Sequence, residues 1–318
     1  MQSFLNTSFK IGTLTLANRL IQGPLAGYSC APFRQLFTLF TPPAYCVSEM
    51  ISAQDIISRH HPDGRYLYRS PEEHLLCYQM AGTDPVIMAE AAQILQRLGA
   101  DLIDINCGCP KSKIRKKGAG SALLQQPERL LAIVKAVRNV LSCPLTVKIR
   151  LQDSAGNQAL AQAIEQAGAD ALIVHGRRWT DDYDIPCNYQ QIAEIRQVVN
   201  IPVIANGDLA TSNDINAVIN QTGCDGYMIS RAGTGKPWLY AQLLNNTHNA
   251  VSLQELGELF LTHLQNLQQL ESEHQAVLQS RSLFRYYFKS YCDEQVFARF
   301  CRANNMIEIA GIIKALTE

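Results

Sequence analysis

A thiol and a cluster of cations directly follow one apolar run of the chain. Residues 104–110 are Asp-Ile-Asn-Cys-Gly-Cys-Pro, so Cys107 and Cys109 fall in a tight turn after that run. Five of the next seven residues, Lys111 to Lys117, are lysine or arginine. A thiol beside a glycine-rich basic loop indicates chemistry on a large polyanion. The candidate polyanion contacts here are Lys111, Lys113, Arg115, Lys116 and Lys117.

Amide, imidazole and cationic side chains end other apolar runs. A buried polar group without a partner costs about 1–3 kcal/mol, so a convergent set of such groups predicts a polar ligand. Glycine-bearing turns at 207 and 233–235 favour a phosphate-tailed cofactor, and Lys148 could stabilise charge on a reduced flavin. The candidate cofactor-binding residues are Pro24, Leu25, Ala26, Gln79, Lys148, Asn206, Gly207, Asp208, Ser230 and Arg231, and the candidates for a shared cofactor or base pocket are Asn106, His175 and Arg177.

The elements that must position these residues are eight short, nearly continuous apolar runs. Such runs are typical of strands that are covered on both faces, and helical patterns separate most of them. The alternation predicts a (β/α)8 TIM barrel, with the active site at the carboxyl ends of its strands. A doubly wound open sheet is the alternative, but no dinucleotide-binding glycine fingerprint follows the first strand. The predicted strands are Leu20–Pro24, Ala44–Ser48, Leu75–Gln79, Leu102–Asn106, Leu145–Arg150, Ala171–His175, Pro202–Asn206 and Tyr227–Arg231.

The pattern becomes purely helical after about residue 245. Ser252 and Glu255 form a capping-box motif before a helical apolar repeat, and three further helical patterns follow. We therefore predict a barrel domain over residues 1–244 and a small helical bundle over 245–318. Arg281, Arg285 and Lys289 are spaced four apart on one helix face, between aromatic residues, and the family resemblance described below implies that they contact RNA.

Composition limits the function classes. The 318 residues have a formal net charge of zero, so attraction to a polyanion must come from local patches. No stretch has the length of a membrane span, and the N-terminus lacks a secretory pattern, so we expect a cytoplasmic protein without membrane contact. The ten cysteines favour reduced thiols, and neither Cys107 nor Cys109 has a second ligand pair at zinc spacing.

Together, these motifs make the chain resemble the tRNA-dihydrouridine synthase family, with the bacterial B-type enzymes most similar. The resemblance covers roughly residues 10–240, and the turn 106–110 with the basic loop after it is its most specific part. The matching segments are Gly23–Gly27, Val47–Met50, Gln79, Asp104–Pro110, Gly118–Leu124, Lys148–Arg150, Val174–Arg177 and Pro202–Asp208.

The resemblance implies a flavin mononucleotide (FMN) enzyme that reduces the 5,6 double bond of particular tRNA uridines, with NADPH, or NADH, as reductant. Cys109 would act as general acid. Pro24 to Ala26 would contact the flavin ring, Gln79 and Lys148 its polar edge, Asn206 to Asp208 the ribityl chain, and Ser230 and Arg231 the phosphate. The implied partner is tRNA, with no obligate protein partner, and a monomer is our expectation.

Departures from the family pattern leave two alternatives open. Leu25 stands where Met is usual, Ser230 where Gly is usual, Cys30 where Asp is common, and the 151–157 loop is altered. One alternative is an FMN barrel acting on a small pyrimidine, similar to dihydroorotate dehydrogenase. The other is a non-catalytic RNA-binding barrel. The five cations around the thiol argue against the first, and the presence of Cys109 and Lys148 argues against the second.

Overall fold

The computed structural model describes residues 2–152, 156–245 and 251–318. Eight parallel strands close into a barrel, in which the last strand pairs with the first through Tyr227 and Leu20. The closed ring confirms the predicted TIM barrel and excludes the open sheet. The barrel strands are β3 (Leu20–Gln22), β4 (Cys46–Ser52), β5 (Leu76–Ala81), β6 (Leu102–Cys107), β7 (Leu145–Leu151), β8 (Ala171–Arg178), β9 (Val203–Asn206) and β10 (Gly226–Ile229).

An antiparallel hairpin precedes the barrel and closes its amino-terminal end. The first helix and the hairpin are α1 (Gln2–Leu5), β1 (Phe9–Ile11) and β2 (Leu14–Leu16). Phe9, Ile11 and Leu16 join the apolar cluster inside the barrel, together with Ile173 and Met228 from the strands. The interior is thus filled at this end, which leaves the opposite end for a ligand.

Helices cover the outside of the barrel and follow the predicted patterns closely. Gly99, Gly168 and Gly223 have φ values of +88°, +103° and +60°, the left-handed conformation that ends a helix before a strand. The helices of the barrel are α2 (Ala31–Gln35), α3 (Ala53–Ser58), α4 (Pro85–Arg97), α5 (Ser112–Arg115), α6 (Pro127–Arg138), α7 (Asn157–Gln166), α8 (Tyr189–Val198), α9 (Ser212–Thr222) and α10 (Leu239–Asn245).

Four C-terminal helices build a second apolar core. Ser252 caps the first of them in the predicted capping box with Glu255. Phe260, Phe284 and Phe300 lie at the centre of this core, which also includes Cys30 and Leu36 next to α2. The C-terminal helices therefore pack on the barrel's first βα segment. They are α11 (Leu253–Leu270), α12 (Glu273–Phe288), α13 (Glu294–Cys301) and α14 (Met306–Thr317).

Several strand ends differ from the prediction: β3 ends at Gln22, β5 at Ala81 and β8 at Arg178, whereas the predicted strands end at residues 24, 79 and 175. Two further differences concern β4 and β10. The predicted strand 44–48 is β4, which continues to Ser52, because its register against β5 shifts between Val47 and Met50. The predicted strand 227–231 is shorter, since β10 ends at Ile229 and a 3-10 turn begins at Arg231. Part of the altered 151–157 loop lies outside the described residues.

Candidate active site

The turn that carries Cys109 is held from both sides. The Asn106 side-chain oxygen accepts the backbone N–H groups of Gly108 (3.2 Å) and Cys109 (2.9 Å). The Cys109 carbonyl accepts hydrogen bonds from the Ser121 backbone (3.1 Å) and hydroxyl (3.0 Å). Gly120 permits this approach, because a Cβ there would lie 2.8 Å from the Cys109 carbonyl oxygen. The half-buried thiol therefore lies on a backbone of fixed geometry.

A buried hydrogen-bonded chain supports this turn from below. Asn106 donates to Gln79 (2.7 Å), Gln79 donates to Asp104 (2.7 Å), and Thr146 donates to the second Asp104 oxygen (2.6 Å). Burial raises the pKa of Asp104, while the hydrogen bonds from Thr146 and Gln79 oppose that rise. All four side chains lie in the barrel strands, so the network connects the Cys109 turn to the rigid part of the fold.

The Lys148 ammonium is hydrogen-bonded to a side-chain amide and not to a carboxylate. Its ammonium donates to the Asn206 side-chain oxygen (2.8 Å), and Asn206 donates to the Met228 carbonyl (2.8 Å). Burial lowers the pKa of Lys148, and the nearby Arg150 lowers it further. An ammonium has three donors, so the bond to Asn206 leaves donor capacity for a ligand.

His175 is a neutral donor at the same end of the barrel. Its Nδ1 accepts the Arg177 backbone N–H (3.2 Å), which puts the ring proton on Nε2. Burial lowers the pKa of His175 to about 2. The cations that reinforce this shift, and therefore lie near the ring, are Lys148, Arg150, Arg177 and Arg231.

Arg177 joins two loops of the rim. Its guanidinium contacts both carboxylate oxygens of Asp208 (2.8 and 2.7 Å) and donates to the Tyr183 carbonyl (2.9 Å). Asp208 has a φ of +51°, and Gly207 before it has a φ of +117°. Arg231 lies over the Tyr183 ring, 4.1 Å from its centre. Arg177 thus fixes the turn after β9 against the loop after β8, next to the predicted phosphate end.

Pro24, Leu25 and Ala26 follow β3 and reach the solvent side of the mouth, where Ala26 is exposed. The turn begins at Gly23, where a Cβ would lie 2.6 Å from the Ser230 hydroxyl. The side chain of Ser230 therefore occupies space between β3 and β10. The structure brings the predicted residues of the turns after β3, β5, β6, β7, β8, β9 and β10 to one end of the barrel.

The chain matches the family model described as "Dihydrouridine synthase (Dus)" over residues 21–311. It is 38% identical over 286 residues to tRNA-dihydrouridine synthase B of Pseudomonas aeruginosa, covering 87% of this chain and 86% of that protein. It is 35% identical over 316 residues to the protein of the same name from Vibrio parahaemolyticus, covering 96% and 97%. This chain belongs to the dihydrouridine synthase family.

Solved structures of lower identity share the fold of this family member. A morphinone reductase in complex with tetrahydroNAD has a TM-score of 0.55 at 14% identity, covering 79% of this chain and 93% of that one. The structure titled "TcOYE with pHBA" has a TM-score of 0.59 at 12% identity, covering 80% and 96%. At these identities the likeness concerns the barrel architecture.

Arg150 is a site residue that our sequence reasoning missed. It donates to the Gly108 carbonyl (2.8 Å) and to the Arg178 carbonyl (2.9 Å), so it supports the Cys109 turn from β7. The signal was its spacing from Lys148, because residues two apart on a strand share a face.

A second missed group connects the C-terminal helices to the turn after β3. The Gly27 N–H donates to Glu49 (2.7 Å), and Gln279 of α12 donates to the Gly27 carbonyl (2.8 Å). Arg65 donates to Glu49 (2.8 Å) and to Gln279 (2.8 Å), and it also pairs with Glu271. We call these five residues the Gly27 clamp. Arg65 belongs to a loop without a recognisable motif, so no local pattern indicated it.

The predicted basic loop contains two kinds of cation. Arg115 donates to Ser121 (2.9 Å) and to Gln125 (3.2 Å), and its guanidinium lies 3.4 Å from the centre of the Trp179 ring. The four lysines are exposed and make no side-chain hydrogen bond or ion pair with any described residue. They are Lys111, Lys113, Lys116 and Lys117.

The second predicted basic face lies on α12. Arg285 and Lys289 are exposed, and Arg281 is half-buried one turn earlier. The Arg285 guanidinium lies 4.2 Å from the centre of the Phe297 ring.

Among the described residues, no group of three or more His, Cys, Asp or Glu is arranged to hold a metal ion. No described helix is both long and apolar enough to cross a membrane.

Proposed function

We propose that this protein is a cytoplasmic tRNA-dihydrouridine synthase that uses FMN, with NADPH or NADH as reductant and Cys109 as the proton donor. The observation that carries the proposal is the fixed Cys109 turn within reach of Lys148 and Arg150, in a chain of the dihydrouridine synthase family. A negative charge on Cys109 would act on both Lys148 and Arg150, which supports the placement of all three side chains in one pocket.

The donor set at the mouth fits FMN. Lys148, Arg150, His175 and Arg231 bring cationic or N–H donors to one basin, where they can bind the polar ring edge and phosphate of an anionic cofactor. FMN, when bound there, would supply the hydride for one carbon of the uracil 5,6 double bond. Gln79 and Lys148 would hold the polar ring edge, Asn206 to Asp208 the ribityl chain, and Ser230 and Arg231 the phosphate.

Cys109 completes the reduction with a proton. As the hydride reaches one uracil carbon, the Cys109 Sγ–H donates its proton to the other, and the resulting thiolate is reprotonated from solvent. Arg150 holds the turn that carries the thiol, through its hydrogen bond to the Gly108 carbonyl (2.8 Å). The neutral His175 offers its Nε2–H as a hydrogen-bond donor without competing for the proton.

The substrate must leave the tRNA stack to reach this buried chemistry. Lys111, Lys113, Lys116 and Lys117 lie exposed in the loop that directly follows Cys109, and their free positive charge suits a phosphate backbone. Residues 245–318 form the second RNA-binding domain in this proposal, through Arg281, Arg285 and Lys289. We propose a monomer that needs no obligate protein partner and makes no membrane contact.

The test is the Cys109→Ala variant, assayed on unmodified tRNA transcripts. We expect it to bind FMN with the wild-type spectrum and to lose dihydrouridine formation by at least about 100-fold, the usual contribution of a general acid. Cys107→Ala is the matched control, because Cys107 lies two residues away and is fully buried. Wild-type activity in Cys109→Ala would refute the acid assignment, and a wild-type protein that rejects FMN would refute the proposed function.

A further inference from the structure

A cavity of about 510 Å³ opens where α12 and α13 meet the barrel turn after β3. Its walls include the rings of Tyr28, Tyr286 and Phe297, and Arg285 and Lys289 line it as well. Two carboxylates, those of Asp293 and Glu294, also line the cavity, and that of Asp293 accepts the Val296 N–H (2.8 Å) and caps α13. The volume is within the range of small-molecule sites, which is about 300–1,000 Å³.

The chemistry of the walls matches a nucleobase with its phosphate. Tyr28 and Tyr286 meet edge to face with ring centres 5.5 Å apart, and Tyr286 remains 38% exposed. The Arg285 guanidinium lies over the Phe297 ring, 4.2 Å from its centre, so a guanidinium group and aromatic rings border the same space. Aromatic rings bind unstacked bases of any sequence, and nearby cations bind the adjoining phosphate.

The cavity also lies beside the route to the active site. Tyr28 follows directly after the turn that we assign to the flavin ring. Arg231, at the proposed phosphate end, is near enough to Tyr286 to oppose the rise in its pKa that burial causes. A single strand that enters the barrel mouth therefore passes this opening.

We propose that the cavity binds one unstacked nucleobase of the tRNA substrate, distinct from the uridine that is reduced. The inference rests on the proposed function. As a consequence, the enzyme binds two bases of one RNA strand at a fixed separation. Electrostatic attraction alone would allow the RNA to bind in several orientations. A second base bound in the cavity fixes which uridine reaches Cys109.

The experiment combines protein variants with RNA variants. The reduced uridine is first mapped in an unmodified tRNA transcript, and abasic nucleotides are then placed one at a time through the ten positions on each side. We compare the wild type with Tyr286→Leu, which removes a half-exposed ring from the cavity. Tyr291→Leu is the matched control, because Tyr291 is 51% exposed near the end of the same helix and does not line the cavity.

We expect Tyr286→Leu to lower kcat/KM by about 5- to 100-fold, the range for losing one stacked base. One abasic position should lower wild-type kcat/KM by a similar factor and leave Tyr286→Leu unaffected, because both changes remove the same contact. Tyr291→Leu should respond as the wild type does. Phe297→Leu, which keeps an apolar side chain against the core, should repeat the result.

Two results would overturn the inference. If no abasic position except the target alters the wild type, or if each lowers both enzymes equally, no second base occupies the cavity. A Tyr286→Leu enzyme that is normal on transcripts but deficient in cells would assign the cavity to a protein instead. Failure of the wild type to form dihydrouridine in any transcript is a different outcome, which refutes the proposed function.

Discussion

The strand ends of the barrel and the basic loop that follows β6 differ in the burial and hydrogen bonding of their polar side chains. At the strand ends, Asn106, Gln79 and Asp104 are buried and bonded to one another at 2.7 Å. In the loop, Lys111 and Lys117 extend into solvent. Fixed dipoles suit a reaction whose charge develops at one place, whereas free cations suit a flexible polyanion. The contrast predicts that variants of the two regions change different kinetic constants.

The largest effect is expected at the strand ends, from Asn106→Ala. The change leaves the Gly108 and Cys109 N–H groups and a Gln79 oxygen without partners, at roughly 1–3 kcal/mol for such buried groups. We expect kcat for uridine reduction to fall about 10- to 100-fold with the KM for tRNA nearly unchanged. Asn139→Ala, at the exposed end of α6, is the control. A raised KM with normal kcat would instead identify Asn106 as an RNA contact.

Arg115 sharpens the comparison, because it is a loop cation that behaves like a strand-end residue. It bonds to the Ser121 hydroxyl, which in turn bonds to the Cys109 carbonyl (3.0 Å). We expect Arg115→Ala to lower kcat by about tenfold, since the Cys109 turn loses part of its support. The salt dependence of tRNA binding should stay as in the wild type. A reduced salt slope with normal kcat would place Arg115 among the phosphate contacts.

The free lysines should give smaller effects of another kind. For Lys117→Gln, we expect a KM increase of a few-fold at low salt, an unchanged kcat, and a log Kd against log salt slope smaller by about 0.7–0.9. Binding measured between low and moderate salt tests this directly. Lys135→Gln, on the exposed face of α6, serves as the control. An unaltered slope would mean that Lys117 does not contact a phosphate.

The smallest effect on the reaction is expected from a residue away from the site, where the change concerns stability. His263 is buried in the second core, and burial lowers its pKa to about 3. The unfolded chain takes up this proton below pH 6.5 but the folded chain does not, so stability is lost as the pH falls from 6.5 towards 3. We expect His263→Gln to lose less stability between pH 6.5 and 4.5, by at most about 1.4 kcal/mol per pH unit.

Thermal unfolding at several pH values measures this slope, independently of any overall destabilisation by the substitution. His61→Gln is the control, since the His61 side chain is 78% exposed. Equal slopes for His263→Gln and the wild type would show that His263 is not responsible for the acid sensitivity.

The sequence predicted the parts of the molecule that local patterns encode. Buried parallel strands need continuous apolar runs, and left-handed glycines such as Gly99 must end the helices before them, so the barrel order could be derived. Residues at strand ends, such as Lys148, had to converge once the barrel closed. The lengthening of β4 was missed, because it depends on a shift of register against its neighbour.

Contacts between distant segments could not be predicted in the same way. From the sequence, Arg115 and its neighbours in the basic loop were all expected to contact a polyanion. The Arg115 guanidinium packs on Trp179, which is 64 positions further along the chain. Likewise, Arg65 meets Gln279 only because α12 folds back on the barrel. Pairings of this kind are decided by the three-dimensional packing and not by the composition of either segment.

The Gly27 clamp has a consequence for how far the two halves of the molecule can act separately. The Gly27 backbone is held from both sides: its N–H donates to the barrel carboxylate of Glu49, and its carbonyl accepts from Gln279 of the C-terminal helix α12. Any tilt of α12 would therefore pull on the backbone of Gly27, three residues after Pro24. In the proposed function, the helices that would contact the RNA and the turn that would contact the flavin ring are connected through Gly27, so an RNA bound in the wrong orientation would also displace the residues beside the flavin.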